Sequence, residues 1–232
     1  MRERFSVVIA AGRVAKRGDP AALGREAAAL AAVAGRPWAP GVIRHEPGLL
    51  VTERVPGTPR DVAALGEDDA RRLGAVLREV HDVRGAPSGV RAYREGRIRD
   101  AEAALAGTPD AGLPRQVAGG PPAEGSLAFL HGDLVAANVL WPPEGGPVLV
   151  DWEFARMGDP AEDLAYLAEL NGLPDATLGA VLEGHGTPGM AARVEGWRGL
   201  VAADAGGWYL AHGMDADGER MLARARGRAA SS

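Results

Sequence analysis

The stretch that most restricts how this chain can fold is "FLHGDLVAANVLW", Phe129 to Trp141, followed by "PPEGG" and then "PVLVDWEF". Two short apolar runs around a Pro/Gly-rich turn predict a β-hairpin. Asp133 falls in a loop ahead of it, Asn138 opens its first strand and Asp151 ends its second. The open ends of a hairpin lie side by side, so Asn138 and Asp151 are expected as neighbours, with Asp133 at the same mouth. No basic residue separates them along the chain. Carboxylates brought together without compensation repel, and a hard cation resolves this. A small set of oxygen ligands suits Mg²⁺, which keeps part of its water and shares phosphate oxygens. The pattern nominates Asn138 and Asp151 as metal ligands and leaves Asp133 to orient an acceptor hydroxyl and take its proton. Taken singly, each residue has a plainer account: Asp133 caps a turn, and Asn138 starts a strand after an Asx turn. Their joint spacing is what points to a site.

The remainder of the chain is read around that hairpin. "FSVVI" (Phe5–Ile9) and "GRVAKR" (Gly12–Arg17) are strands joined by a short Ala-Ala-Gly turn. "GDPAALGREAAALAAVAG" is a helix with Asp19 as N-cap, Pro20 in the first turn and Gly35 beyond its end. "GVIRHE" and "GLLVTERV" are further strands around Pro47-Gly48, and "VPGTP" (Val55–Pro59) reads as a linker. After it, Leu73, Val76, Leu77 and Val80 recur at helical spacing. Residues 93–106 are a charged helix, 107–126 a Gly/Pro-rich loop, and 160–230 helices between Gly/Pro breaks. The layout is α+β: a small strand-rich lobe with one helix over residues 1–55, then a larger, mainly helical lobe over 56–232.

Composition narrows the function. A net charge of −5 argues against nucleic-acid partners and anionic membrane surfaces. The absence of cysteine excludes disulfides and thiolate metal sites. No apolar run approaches membrane-spanning length and the first residues lack a secretory signal core, so a cytoplasmic location is expected. Among 26 basic residues only Lys16 is a lysine. In so arginine-rich a chain, a lone lysine marks a place where a compact ammonium is wanted.

H-G-D-x4-N, a hairpin, D-W-E and "GDPAEDLAYL" together resemble the aminoglycoside phosphotransferase and choline kinase family, specifically over residues 126–168 and more loosely over 12–85. That resemblance implies a bilobal, protein-kinase-like fold and a nucleoside triphosphate, ATP or GTP, as co-substrate with Mg²⁺. It implies that Lys16 orients the phosphates and is steadied by Glu26, ten residues later on the first helix. It implies that backbone groups of Glu53 and Val55, in the segment between the lobes, meet the purine edge. His131 is then a loop-holding residue rather than a proton carrier, and Asp163 braces the catalytic loop from the following helix. Asp159 is equally well a helix N-terminal acid. Glu153 would share a strand face with Asp151, and His81 is structural. The implied reaction is transfer of the γ-phosphoryl group to a hydroxyl of a small molecule, with antibiotic-type natural products as the first choice of acceptor. A choline- or sugar-type kinase and a nucleotide-binding pseudokinase are the alternatives. A protein kinase is disfavoured, because "HGD" stands where an Arg is needed and neither D-F-G nor A-P-E is present.

The chain also departs from the family pattern. Only Ala10-Ala11-Gly12 is available to cover the phosphates, with no G-x-G-x-x-G, and the first lobe reads as truncated by one strand. A short anion nest, a start codon further upstream, or a degenerate nucleotide site would each account for this. Acceptor specificity is expected from segment 86–125 and the C-terminal helices. There Trp197, Leu200, Val201, Asp204, Trp208 and His212 share one helical face, and Glu195, Asp204, Asp215 and Asp217 could receive an amine.

Overall fold

The computed structural model describes residues 5–84, 94–118 and 127–230. Strands β1 (Phe5–Ala10) and β2 (Arg13–Gly18) form the first hairpin, its turn made by Gly12 at φ +73°. Helix α1 (Pro20–Ala32) starts on the Asp19 carboxylate, which accepts from Ala21 N at 2.7 Å and Ala22 N at 3.2 Å. Strands β3 (Val42–Glu46) and β4 (Leu49–Glu53) complete an antiparallel sheet of order β1-β2-β4-β3.

The stretch expected to be only a linker contains a strand. β5 (Thr58–Pro59) pairs with β7 (Val139–Trp141), which pairs with β8 (Val148–Leu149), so the hairpin is the centre and one edge of a three-stranded sheet. Two-residue strands carry almost no periodicity, which is why β5 escapes a pattern reading. The crossing between lobes therefore lies between Glu53 and Thr58.

Helices α2 (Glu67–His81), α3 (Arg94–Ala104) and α4 (Leu113–Val117) follow. The helix α4 falls where a loop was expected; Pro114 at its start and Leu113 and Val117 packed inward give it one short apolar face. β6 (Ala128–Leu130) leads into the HGD loop and pairs with β9 (Arg156–Gly158), a strand the sequence reading did not propose. Helices α5 (Pro160–Asn171), α6 (Asp175–His185), α7 (Met190–Ala211) and α8 (Asp215–Ala229) close the second lobe.

One apolar core runs through both lobes. Leu23, Leu30 and Trp38 of the first lobe belong to the same buried cluster as Leu73, Leu77, Phe129 and Trp152. Trp38 is a main stitch: its ring lies 6.0 Å from Trp152, its carbonyl accepts from Leu149 N at 2.9 Å, and its indole N–H donates to Glu79 at 2.7 Å. Phe129 stacks on Trp152 with ring centroids 5.8 Å apart. The hairpin is thus anchored to the first lobe by aromatic burial.

Candidate active site

Lys16 sits in the middle of β2, paired with Val7 on one side and Leu50 on the other. Its ammonium reaches both oxygens of Glu26, at 2.8 and 3.0 Å, and Asp151 Oδ1 at 2.7 Å. The sole lysine therefore bridges a helix carboxylate in one lobe and Asp151, two residues beyond β8, in the other. Burial pulls the ammonium's pKa down, but Glu26 and Asp151 outweigh it and the net shift is upward. Glu26 is almost fully buried; desolvation raises its pKa despite Lys16 and a bond from the Trp152 amide.

Asp151 adopts φ +65°, the only non-glycine residue with positive φ among those described. Asp tolerates the left-handed region better than most side chains, but the conformation still costs free energy and needs support. Support comes from Lys16 on its side chain and from Trp152 next to it, whose indole donates to Leu149 O at 2.9 Å. After Asp151 the chain makes a 3₁₀ turn, Trp152–Phe154. Glu153 is therefore not on a strand and does not share a face with Asp151 as expected.

Asn138 closes a 3₁₀ turn, Ala136–Asn138, immediately before β7, rather than opening the strand itself. Its carbonyl accepts from Val150 N at 3.0 Å, the bond that closes the hairpin mouth and sets Asn138 beside Asp151. Its Nδ2 donates to Asp133 Oδ2 at 2.8 Å and to Asp133 O at 3.0 Å. With the amide nitrogen spent on Asp133, the amide oxygen is the atom left for a ligand. Burial raises the Asp133 pKa against the pull of His131.

The HGD loop is held from below. Asp163, buried on α5, accepts from His131 N at 2.8 Å and from Gly132 N at 2.9 Å, the bracing role the resemblance implied. Burial raises its pKa, but His81 and nearby cations overcome this and the net shift is downward. His131 bonds Val150 O through Nε2 at 3.0 Å and accepts from Asp133 N at Nδ1, 3.3 Å away. Burial lowers its pKa, in line with a ring that faces a carbonyl from Nε2 and accepts an amide at Nδ1. Gly132 has φ +84°, and a Cβ there would lie 2.2 Å from Arg156 Nη1 and 2.3 Å from Phe154 O, which is why glycine separates His131 from Asp133.

Three supports had no sequence signal. Asn171 at the end of α5 accepts from Ala136 N at 2.7 Å and donates to Leu134 O at 2.8 Å. Arg156, buried, donates to Gly132 O at 3.3 Å and to Glu162 at 2.6 Å. Glu162 also meets Arg97 at 3.0 Å. Apart from the Arg156–Glu162 pair, six residues apart, each contact joins residues far apart in the chain, so no local spacing encodes it.

Glu53 ends β4 with its amide donated to Gly41 O at 2.8 Å, and its carboxylate accepts from Gly41 N at 3.3 Å. Val55 follows, half-buried, in the crossing between the lobes. The expected acceptor stripe divides. Trp197, Leu200 and Val201 are core, whereas Trp208 is 46% exposed and stacks on His212 at 4.0 Å. Three of the four expected amine-binding acids are already matched by arginines, among them Asp204 by Arg97 at 2.7 Å and Glu195 by Arg228 and Arg198. Asp217 pairs with Arg220. Parts of segment 86–125 (residues 86–93 and 119–125) lie outside the described residues.

With this geometry in place, the sequence profile of the phosphotransferase enzyme family (APH) matches residues 9–198. The chain belongs to that family. A viomycin phosphotransferase from Streptomyces vinaceus is 42% identical over 81 residues, which is 32% of this chain and 28% of that protein's length. Among solved structures, a choline/ethanolamine kinase family protein from Mesorhizobium loti aligns with TM-score 0.78 and 22% identity, over 97% of this chain and 85% of that one. A macrolide 2'-phosphotransferase from Brachybacterium faecium aligns with TM-score 0.70 and 24% identity, over 94% and 87%. The choline kinase LicA, solved with AMP, aligns with TM-score 0.74 and 17% identity, over 100% and 89%. Members of the phosphotransferase enzyme family share the bilobal, protein-kinase-like α+β fold seen here. Among the described residues, no helix is long and apolar enough to cross a membrane.

Proposed function

We propose that this protein moves the γ-phosphoryl group of ATP or GTP to a hydroxyl of a small natural product of the antibiotic type. The observation that carries the reading is the Lys16 bridge: one ammonium from the first lobe joins Glu26 and Asp151 at the mouth where Asn138 and Asp133 also converge. Lys16, held by Glu26, orients phosphate oxygens as a point charge. The crossing segment, through backbone groups of Glu53 and Val55, receives the base. Asp133 accepts a hydrogen bond from the acceptor hydroxyl, aligns its oxygen on the phosphorus and takes the proton as the bond forms; Asn138 holds that carboxylate in place.

The donor set fits Mg²⁺. Asn138 and Asp151 present hard oxygens, and among the described residues no group of three or more acidic or histidine side chains forms a dedicated metal cage. One or two protein oxygens completed by water and phosphate is the arrangement Mg²⁺ favours. When bound between Asn138 and Asp151, the ion would supply charge neutralisation on the phosphates. The antibiotic class is placed first because of the segment shared with viomycin phosphotransferase.

The test is a mass-spectrometric screen of hydroxylated antibiotics, aminoalcohols and sugars with ATP or GTP and Mg²⁺, looking for a gain of one phosphate. Turnover that disappears in Asp133→Ala supports the reading. Nucleotide binding with no phosphorylated product across the panel would instead support a pseudokinase.

A further inference from the structure

A second concave site lies in the larger lobe, where the last turn of α5 meets α7 and α8. It is a cleft of about 320 Å³, lined by Glu169 and Gly172 at the end of α5, by Arg198 of α7, and by Arg224, Gly227 and Arg228 of α8. It shares no residue with the mouth formed by Lys16, Asp133, Asn138 and Asp151. Its size is at the lower end of the range that small-molecule sites occupy.

Three guanidiniums converge there on one carboxylate. Glu169 is buried, and its Oε1 accepts from Arg198 Nε at 2.5 Å and from Arg228 Nη2 at 3.0 Å. Arg224 is placed differently. Its Nη1 donates to the Glu169 carbonyl at 2.5 Å, and it lies 3.7 Å from Glu169 Oε2, beyond hydrogen-bond distance. Helices α5 and α8 both end at the cleft, and each terminus brings about half a negative charge. Together the two termini compensate one guanidinium, and Glu169 compensates a second. Two further acids flank the site. Glu195, in contact with Arg228 and Arg198, is 60% exposed, and Asp175, which also acts on Arg198, lies at the exposed start of α6. Water screens both, so the third positive charge is only weakly met. Helix capping accounts for the contacts to Glu169 but not for the open space in front of them. A Cβ on Gly227 would meet nothing within 4 Å, whereas one on Gly172 would lie 3.3 Å from Arg224 Nη2, which places that edge of the guanidinium at the cleft.

We propose that Arg198, Arg224 and Arg228 form a binding site for a phosphate oxyanion, carried by inorganic phosphate or by a small phosphomonoester. Paired guanidinium N–H groups match phosphate oxygens edge to edge, and a dianion supplies the charge that the wall of the cleft lacks. The site goes beyond the phosphotransferase reading and does not depend on it. It is also joined to the HGD loop. Asn171, the residue before Gly172, accepts from Ala136 N at 2.7 Å and donates to Leu134 O at 2.8 Å. Arg224 is bonded to the same helical turn through the Glu169 carbonyl, so a ligand that moves the guanidinium moves the turn that carries Asn171.

The test is an NMR titration of the full-length protein with inorganic phosphate and, separately, with glycerol 3-phosphate, against sodium chloride at matched ionic strength. The Nε–H signals of Arg198, Arg224 and Arg228 and the amides of Gly172 and Gly227 should shift saturably, with a Kd of about 1 mM or below. The Ala136 amide should follow the same curve. Arg224→Gln leaves both side-chain partners of Glu169 in place and should weaken binding about tenfold or more, the loss of one charge-assisted hydrogen bond. Arg224→Lys, which keeps the charge but not the paired N–H edge, should fall between the two. Tighter binding of glycerol 3-phosphate assigns the site to an ester, and equal or weaker binding assigns it to the free ion. No saturable shift, shifts that sodium chloride reproduces, or an unchanged Kd in Arg224→Gln would overturn the site. Shifts confined to Lys16 and Asp133 would count for the proposed nucleotide cleft and against this one. An Ala136 amide that stays put at saturation would overturn the link to the loop.

Discussion

Replacing Lys16 by Met keeps most of the side-chain stem and removes only the ammonium. Two carboxylates lose their partner, and burial decides which loss matters. The Asp151 side chain is 39% exposed, so water takes over most of its compensation and the stability cost there is small. The Glu26 side chain is 3% exposed and is left as a buried charge with only the Trp152 amide on it. Breaking a buried pair by deleting one partner costs about 3–5 kcal/mol, and the retained amide bond puts the expectation near the lower figure. For a chain of this size that is a fall in Tm of about 6–12 °C. The sign with pH follows from Glu26. Its folded pKa is already raised, so its ionisation opposes folding: the favourable contribution is complete below the ordinary carboxylate range and is lost as pH rises through the raised folded value. Without Lys16 that value rises further, so the deficit of Lys16→Met should be large at pH 7–8 and shrink towards pH 4.5. Urea unfolding of the parent, Lys16→Met and Lys16→Met/Glu26→Gln across this range is the assay. The double variant should regain most of the stability at pH 7 while remaining inactive. A single variant as stable as the parent at pH 7, or a deficit that grows on acidification, would refute the argument.

Three further outcomes are expected. Gly74→Ala should destabilise by about 1–3 kcal/mol in chemical denaturation, because its Cβ falls 1.9 Å from a backbone oxygen that cannot move aside without separating α2 from α6. Asp151→Asn should leave the circular dichroism spectrum intact and abolish Mg²⁺-dependent turnover; unchanged turnover over a Mg²⁺ titration would remove Asp151 from the proposed metal site. The Asp163 pKa is depressed in the fold, so its contribution is present above the ordinary carboxylate pKa and disappears as pH falls through the folded value. Asp163→Asn should accordingly lose stability at pH 7 but match the parent at the acid end of an unfolding titration.

The residue sequence alone determined the local elements and the chemistry they could carry. The Asp19 cap with Pro20, the Pro47-Gly48 turn and the apolar spacing of α2 are short-range patterns, and the structure contains each. The HGD spacing, the paired apolar runs and the lone lysine were enough to nominate Lys16, Asp133, Asn138 and Asp151, whereas Glu26 was named only through the resemblance to the phosphotransferase and choline kinase family. Only the tertiary structure decided how those residues meet. Nothing local says that Lys16 spans 135 positions to reach Asp151, that Thr58–Pro59 becomes a third strand beside the hairpin, or that Asp204 is already claimed by Arg97. The left-handed Asp151 and the contacts of His81 with His185 and Asp163 were equally hidden. Periodicity and capping are written in neighbours a few residues apart, whereas charge compensation, burial and the rotation of a buried carboxylate depend on which distant groups share one low-dielectric space. That sharing is set when α2, α5 and α6 pack together under the loop.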